Sequence, residues 1–543
     1  MIRFTFVVAA LAGCGADANY GFGSSPDAQP QSFSDAGAGS PQCFSSSECP
    51  VGLICTEFGV CQAPSQPPSE PPPEVEYALT APLQSRRFVW VAMTDQDRLA
   101  KIDADTLEVA SIAVGDSPRV FTTLPGTDTA VVLDGNNAAA TVVRPAVGSA
   151  VTEVYRTLPH LNRVAAAPGG RYAVAYFDLT RAISEAGSLE NVGAVGSFQD
   201  VTVLSLEPGR ERAIDLTVGF RPRDVQVDAS GRYAMVITDD GVSVIDLPLM
   251  ANGQPTIVPP IRLFDDPLVD PSLAEVHIVA TGEYAIARVP GSAALRVVRL
   301  LPPNIGAAWD VPLADVPTDL DLAPSGDRVV VGFRQPAGIS VIDLPGDAID
   351  PSGITSVSID GATGGSVQLS ADGTQALLYT NATLDERVTL LDLTSPTLSP
   401  RTIRLQKAVR TLGFDPSGQK AVILHAKAPG APDDAVDFED FIDKSHGYSV
   451  VDLATGFSKL QITEVNPEAF AFAQASARAY VTLDGGVADG ALLAVQTIEL
   501  DTGVVRTTEL GSPGGEVGGG QARQAHRPLG GGGELGLHVG EGA

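Results

Sequence analysis

Four cysteines at one spacing and a single run of carboxylates carry most of the chemistry suggested by this chain. Cys43, Cys49, Cys55 and Cys61 recur at a constant interval of six in CFSSSECPVGLICTEFGVC, and Cys14 is the only other cysteine. Crowded thiols can oxidise in pairs or hold zinc as thiolates. Gaps of five residues are not those of CxxC zinc hairpins, and so few residues cannot build a core unaided, so two disulfides are expected over residues 41–62. The acidic run lies in KAPGAPDDAVDFEDFIDKSHG, residues 427–447, where Asp433, Asp434, Asp437, Glu439, Asp440 and Asp443 place six carboxylates in eleven positions. Carboxylate oxygens are calcium ligands, which makes Asp433, Asp434, Asp437, Glu439 and Asp440 calcium candidates and calcium the one cofactor to consider. The run lacks the order and glycine hinge of an EF-hand loop. The favoured reading is therefore a solvated acidic loop with an amphipathic helical turn around Phe438, Phe441 and Ile442, with a partner-docking lid as a third reading. The six histidines, His160, His277, His425, His446, His526 and His538, show no metal-pair spacing, and neither HExxH nor GxSxG occurs. No catalytic residue is assigned.

The segments that position these residues begin with a sorting signal. Arg3 precedes an apolar stretch, Phe4 to Ala10, and then Leu11-Ala12-Gly13-Cys14. Small residues before a cysteine, directly after an apolar segment, resemble the lipobox of bacterial lipoproteins. That resemblance implies a signal peptide over 1–13, a lipidated Cys14 and, with Gly15 following, an outer-membrane destination facing the periplasm or the surface. A lipid tethers a protein without a spanning segment. Export also favours oxidation of the other four cysteines. Their segment, with its C-P-x-G-x-x-C centre, resembles small Dickkopf-like cysteine-rich modules; three pairings are possible, of which Cys43–Cys55 with Cys49–Cys61 is preferred. Residues 14–40 are rich in Gly, Ser, Ala and Asp and are expected to be disordered. Residues 63–82 open with APSQPPSEPPPEVE, a proline-rich linker expected to be extended and stiff.

Lys and Arg number 35 against 65 Asp and Glu, a net charge of −30. Such a chain repels phosphate backbones, so nucleic acid is excluded as a partner. No internal apolar run approaches the roughly eighteen residues of a membrane span, and the body is expected to be a soluble monomer. Abundant Gly and Pro with few aromatics favour a turn-rich β protein.

A phrase of roughly forty-five residues repeats along the body. Its clearest mark is a turn followed by a short apolar strand, as in APGGRYAVAY from Ala167, DASGRYAMVI from Asp228, VATGEYAIAR from Val279, APSGDRVVVG from Ala323, SADGTQALLY from Ser370 and DPSGQKAVIL from Asp415. A second mark is a strand ending in a carboxylate: Asp246, Asp343, Asp392, Asp452 and, more loosely, Asp103 and Glu499. Such a carboxylate can accept hydrogen bonds from the amides of the next turn. Four short antiparallel strands per unit make a β-propeller blade. From Trp90, the segments WVAM, LAKID, IAVGDSP and LPGTD resemble the YVTN repeat of bacterial surface-layer and extracytoplasmic propellers, a likeness that covers about residues 86–512 and speaks to fold alone. Turn marks begin eight units near residues 118, 162, 222, 274, 318, 364, 410 and 467, and residues 86–114 add a partial unit starting at its second strand. The expectation is an all-β protein: a seven- or eight-bladed β-propeller of four-stranded antiparallel blades over 83–512, preceded by the small disulfide-rich module and disordered linkers. Residues 513–543 form a Gly-rich tail in which no closing strand is expected, either natural or the product of a shifted reading frame, the latter slightly preferred.

Compared unit by unit, the repeats show no recurrent acid, base or nucleophile lining a central channel. With only Trp90 and Trp309, the chain lacks the blade-docking tryptophans of quinoprotein dehydrogenases. The function expected is a lipid-anchored binding or scaffold protein of the cell envelope, with a protein, peptide or glycan ligand. The alternative is a propeller-type hydrolase or lactonase with a divalent metal in the channel. Residues 181–199 and 265–273 are further insertions expected to be surface loops of the kind that carry specificity.

Overall fold

Short alternating strands separated by glycine turns cannot bury both faces alone, and here they bury them against copies of themselves. The computed structural model describes residues 82–511 apart from short loop segments at 119, 136, 147–148, 254–256, 267, 335–336, 360–363, 396–397, 474–476 and 485–492; it also describes Glu74 and the pairs Ile54–Cys55 and Cys61–Gln62. Residues 1–70 and 71–543 form two compact units. In the first, Ile54–Cys55 pairs antiparallel with Cys61–Gln62, with Cys55 and Cys61 as register partners. Cys14, Cys43, Cys49 and the Gly-rich tail lie outside the described residues.

The second unit is a β-propeller of nine blades, eight of them four-stranded antiparallel sheets. The inner strands of blades 2 to 9 begin at Val120, Arg163, Asp224, Glu275, Asp319, Ser366, Val409 and Asn466, within a few residues of the turn-marked units. The expected count of seven or eight is corrected by blade 1. Its inner strand is only Leu83–Gln84, which pairs with Phe88–Met93 and is followed by Arg98–Asp103 and Val109–Ala113. Two residues are too few to show a pattern, so a complete blade reads as a partial one. Blade 4 keeps three strands, Asp224–Val227, Tyr233–Thr238 and Gly241–Asp246. Asp246 caps a short helix, Leu247–Ala251, by accepting from the Leu249 amide, and among the described residues the chain returns through isolated bridges at Ile257 and Ile261.

The core lies between blades. Along Phe88–Met93, Val89, Val91 and Met93 pack toward blade 9 while Trp90 packs toward blade 2. That period-two alternation, with both faces buried, recurs around the ring as nine apolar clusters, each joining neighbouring blades. The ninth closes it: Val89, Ala100 and Ile102 of blade 1 meet Tyr480, Val495 and Leu510 of blade 9. The Tyr480 hydroxyl donates to the Ala104 carbonyl at 3.4 Å across this seam, and Arg478 also donates to Ala104. First and last segments each build a whole blade instead of sharing one, and closure is by side-chain packing together with these side-chain hydrogen bonds.

Four of the six strand-end carboxylates, Asp103, Asp246, Asp392 and Asp452, accept from turn amides as their spacing predicts, while Asp343 and Glu499 accept from Arg328 and Arg478. Asp103 accepts from the amides of Asp105 and Thr106, Asp392 from Thr394, and Asp452 from Thr455. Turn glycines are equally specific. Gly231 has φ +70°, and a Cβ there would collide with the Pro168 carbonyl of the preceding blade. No helix among the described residues is long and apolar enough to cross a membrane.

Candidate functional site

In blades 4 to 7 the first and third positions of the inner strand are polar: Asp224 and Gln226, Glu275 and His277, Asp319 and Asp321, and Ser366 and Gln368, all of them partly buried except Ser366, which is buried. This corrects the sequence reading that no acid recurs. In blades 4 to 6 the signal is present as a D/E-x-[Q/H/D] phrase just ahead of the turn mark, but four residues give too short an alternation to say which side meets the axis.

Part of this polar wall stitches blades together. The Gln226 amide donates to the Val276 carbonyl and its oxygen accepts from the Ile278 amide, at 3.1 and 2.7 Å. Asp319 accepts from the Val367 amide at 2.7 Å, and Asp321 from the Leu369 amide at 2.8 Å. The rest encloses a cavity of about 450 Å³ whose lining includes Glu275, His277, Arg288, Asp319, Asp321 and Gln368, and also Glu74.

Glu275 sits opposite Arg288 in the sheet register. The Arg288 Nε donates to its carboxylate at 2.6 Å, and the His277 Nε2 lies 2.9 Å from the other oxygen. Burial pushes the Glu275 carboxyl up, but the bond to His277 and the charge of Arg288 outweigh it and hold it below its usual range. Asp319 behaves oppositely: burial first, then the negative charge of Glu275, raises it well above the usual carboxylate range. Burial also raises Asp321. The cavity thus offers carboxylates of divergent proton affinity together with amide, hydroxyl and guanidinium donors. Such a wall can bind a polar ligand through both acceptors and donors.

The face around this mouth gathers the insertions. The register pairs the start of each inner strand with the end of the second, as Glu275 with Arg288 and Val409 with His425, so loops between second and third strands open here. Residues 181–199 and 427–445 are such loops, and residues 265–273 lead into the start of the blade 5 inner strand. All three insertions therefore lie on one face.

The acidic loop folds as a 3₁₀ turn, Pro432–Asp434, and a helix, Phe438–Lys444. Asp437 caps the helix by accepting from the Asp440 amide, while Asp440 accepts from the Val436 amide and pairs with Lys444 at 2.8 Å. Phe438 is 75% exposed and Val436 86%, so the amphipathic turn stands free of the body on that side. Lys407, almost wholly buried, donates to the Ile442 and Asp443 carbonyls at the helix C-terminus, where a cation complements the dipole. Among the described residues, no group of three or more His, Cys, Asp or Glu is arranged to hold a metal.

The histidines are scattered. His277 belongs to the cavity, His446 is half-buried at the start of a strand, His160 is exposed, and His526 and His538 lie outside the described residues. His425 is buried, with Nδ1 3.0 Å from the Ala408 carbonyl and Nε2 2.7 Å from the Ser449 hydroxyl. Burial pushes its imidazole down to about 4. The unfolded chain binds this proton below about 6.5 and the folded chain only below about 4, so stability rises with pH across that window and is lost on acidification. His425→Gln removes the linkage. The stability difference between wild type and variant is expected to change by about 3 kcal/mol between pH 6.5 and 4 in urea titrations, with wild type losing more toward acid.

No family model matches the chain, and no curated protein matches it. Solved structures do. The crystal structure of a eukaryotic initiation factor aligns with TM-score 0.52 at 11% identity, covering 79% of this chain and 97% of that one. Dihydro-heme d1 dehydrogenase NirN in complex with DHE aligns at TM-score 0.45 and 13% identity, covering 72% of this chain and 75% of that one. Apo AztD from Citrobacter koseri aligns at TM-score 0.41 and 12% identity, covering 69% and 93%. The first of these likenesses, at 11% identity, speaks to the fold alone.

Proposed function

We propose that this chain is a binding or scaffold propeller of the bacterial cell envelope, tethered to the outer membrane through a lipidated Cys14 and carrying a disulfide-linked module of Cys43, Cys49, Cys55 and Cys61 ahead of the ring. Its ligand, a protein, peptide or glycan, engages the insertion-bearing face. The observation that carries this reading is the polar cavity of about 450 Å³ along the inner strands of blades 5 to 7, with both donors and acceptors in its wall. Several of its acids already serve neighbouring backbone amides, which suits a fixed recognition surface.

The test is capture from an envelope extract with the full chain as bait, beside a Gln368→Arg chain in which the longer side chain fills the cavity. Wild type is expected to retain an envelope component that the variant retains about tenfold less, the scale of one lost charged or polar contact. Equal retention by both chains, or none by either, would sink the proposal. One divalent metal per purified chain, with hydrolysis of a lactone or ester, would replace it with the metal-hydrolase reading.

A further inference from the structure

One residue of the proline-rich linker is bound to the propeller as a ligand would be. Glu74 reaches the inner end of blades 6 and 7, where its side chain is only 7% exposed. Its carboxylate receives four donors: the Arg334 guanidinium at 2.6 Å, the Thr380 hydroxyl at 2.8 Å, and the amides of Asn381 and Ala382 at 2.8 and 3.1 Å. Two successive amides, a hydroxyl and a guanidinium converging on one carboxylate make a charge-assisted site of the kind used for acidic-motif capture. The floor is shaped for it as well. A Cβ built on Gly365 would overlap the Glu74 carboxylate, and Gly365 has no positive φ that would otherwise call for glycine. The partners stand 260 to 308 residues from Glu74 along the chain, so nothing local places it there.

We infer that Arg334, Thr380, the Asn381 and Ala382 amides and Gly365 form a carboxylate-recognition site for an acidic peptide presented by a partner, and that Glu74 fills this site in cis. The chemistry of the occupant defines the ligand class. Glu74 follows Pro71-Pro72-Pro73 and precedes Val75-Glu76, a proline-led acidic peptide. Glu74 also borders the cavity described above, so a peptide whose glutamate displaces it would lead its neighbours into that cavity. The inference rests on the binding reading of this face and names its ligand. Intramolecular occupancy imposes competition at the high effective concentration of a short tether, so the site answers only to a partner that is abundant or multivalent.

The test uses a fluorescent peptide of residues 70–78, the same peptide with Gln in place of Glu74, and anisotropy titration of the full chain. Wild type is expected to bind the acidic peptide weakly. Glu74→Ala, and to a smaller extent the isosteric Glu74→Gln, should bind it about tenfold or more tightly because the cis competitor is removed. The Gln peptide should lose about tenfold, and Gly365→Ala added to Glu74→Ala should abolish binding. No saturable binding by either vacated chain would make Glu74 a structural tether and overturn the inference. Binding that survives Gly365→Ala would place the peptide elsewhere and overturn it too. Either failure leaves the envelope-capture result intact, whereas failed capture with retained peptide binding would count against the proposed function and not against this site.

Discussion

Arg288→Met is expected to destabilise the propeller by about 3 kcal/mol at neutral pH, read as a fall in the urea midpoint. The loss is large because of what remains. Glu275, with its side chain 19% exposed, would keep its charge in the cavity wall without the guanidinium now 2.6 Å away. Asp319 adds repulsion, since the two acids already feel each other. The sign with pH follows from the carboxyl. In the wild type Glu275 is held low, so its pairing contributes above the unfolded value near 4.5 and fades as pH falls through the folded one. The deficit of Arg288→Met should therefore shrink in acid, where protonation neutralises the orphaned group. A Glu275→Gln change in the same chain should recover most of the stability at neutral pH. A deficit that is constant with pH and unrelieved by Glu275→Gln would mean that the arginine acts only through its packing and through the hydrogen bond it donates to the Pro317 carbonyl at 3.3 Å.

Trp90→Ala is expected to cost about 4 kcal/mol, the range for deleting a fully buried aromatic side chain. Trp90 is fully buried between blades 1 and 2 among Leu99, Phe121, Ala130, Val132 and Val143. Its indole N–H donates to the Ser85 hydroxyl at 3.0 Å, and Phe88 meets it edge-on at 6.1 Å. Alanine leaves a void that sheet backbones on either side cannot close. The same urea experiment measures the loss, and Trp90→Phe should give back roughly half of it. If Trp90→Ala cost under about 1 kcal/mol, the contact between blades 1 and 2 would not be cooperative with the ring.

The ring itself was largely legible in the residues. Apolar strands, Gly-bearing turns and strand-end aspartates repeat locally, and local rules are enough to fix them. That is why eight inner strands begin near the turn-marked units. Blade 1 escaped because Leu83–Gln84 is too short for any periodic signal, and its pairing with Phe88–Met93 is set by the blades beside it. Blade 4 departs from four strands because Asp246 and Pro248 start a helix where a fourth strand would run. Similarly, the calcium candidates in the acidic loop were visible as a cluster, yet Asp437 and Asp440 bind amides and Lys444, which sequence order does not announce.

By itself, the sequence determined the repeat, the strand pattern, the acidic surface and the cysteine spacing, because each depends on neighbours a few residues apart. Only the tertiary structure decided that nine blades close, that Asp224, Glu275 and Asp319 fall on one wall, and that Glu74 meets Arg334 and Thr380. Those outcomes depend on closing a ring through contacts hundreds of residues apart, and a polar side chain at the first or third position of a four-residue strand carries no mark of which blade it will face.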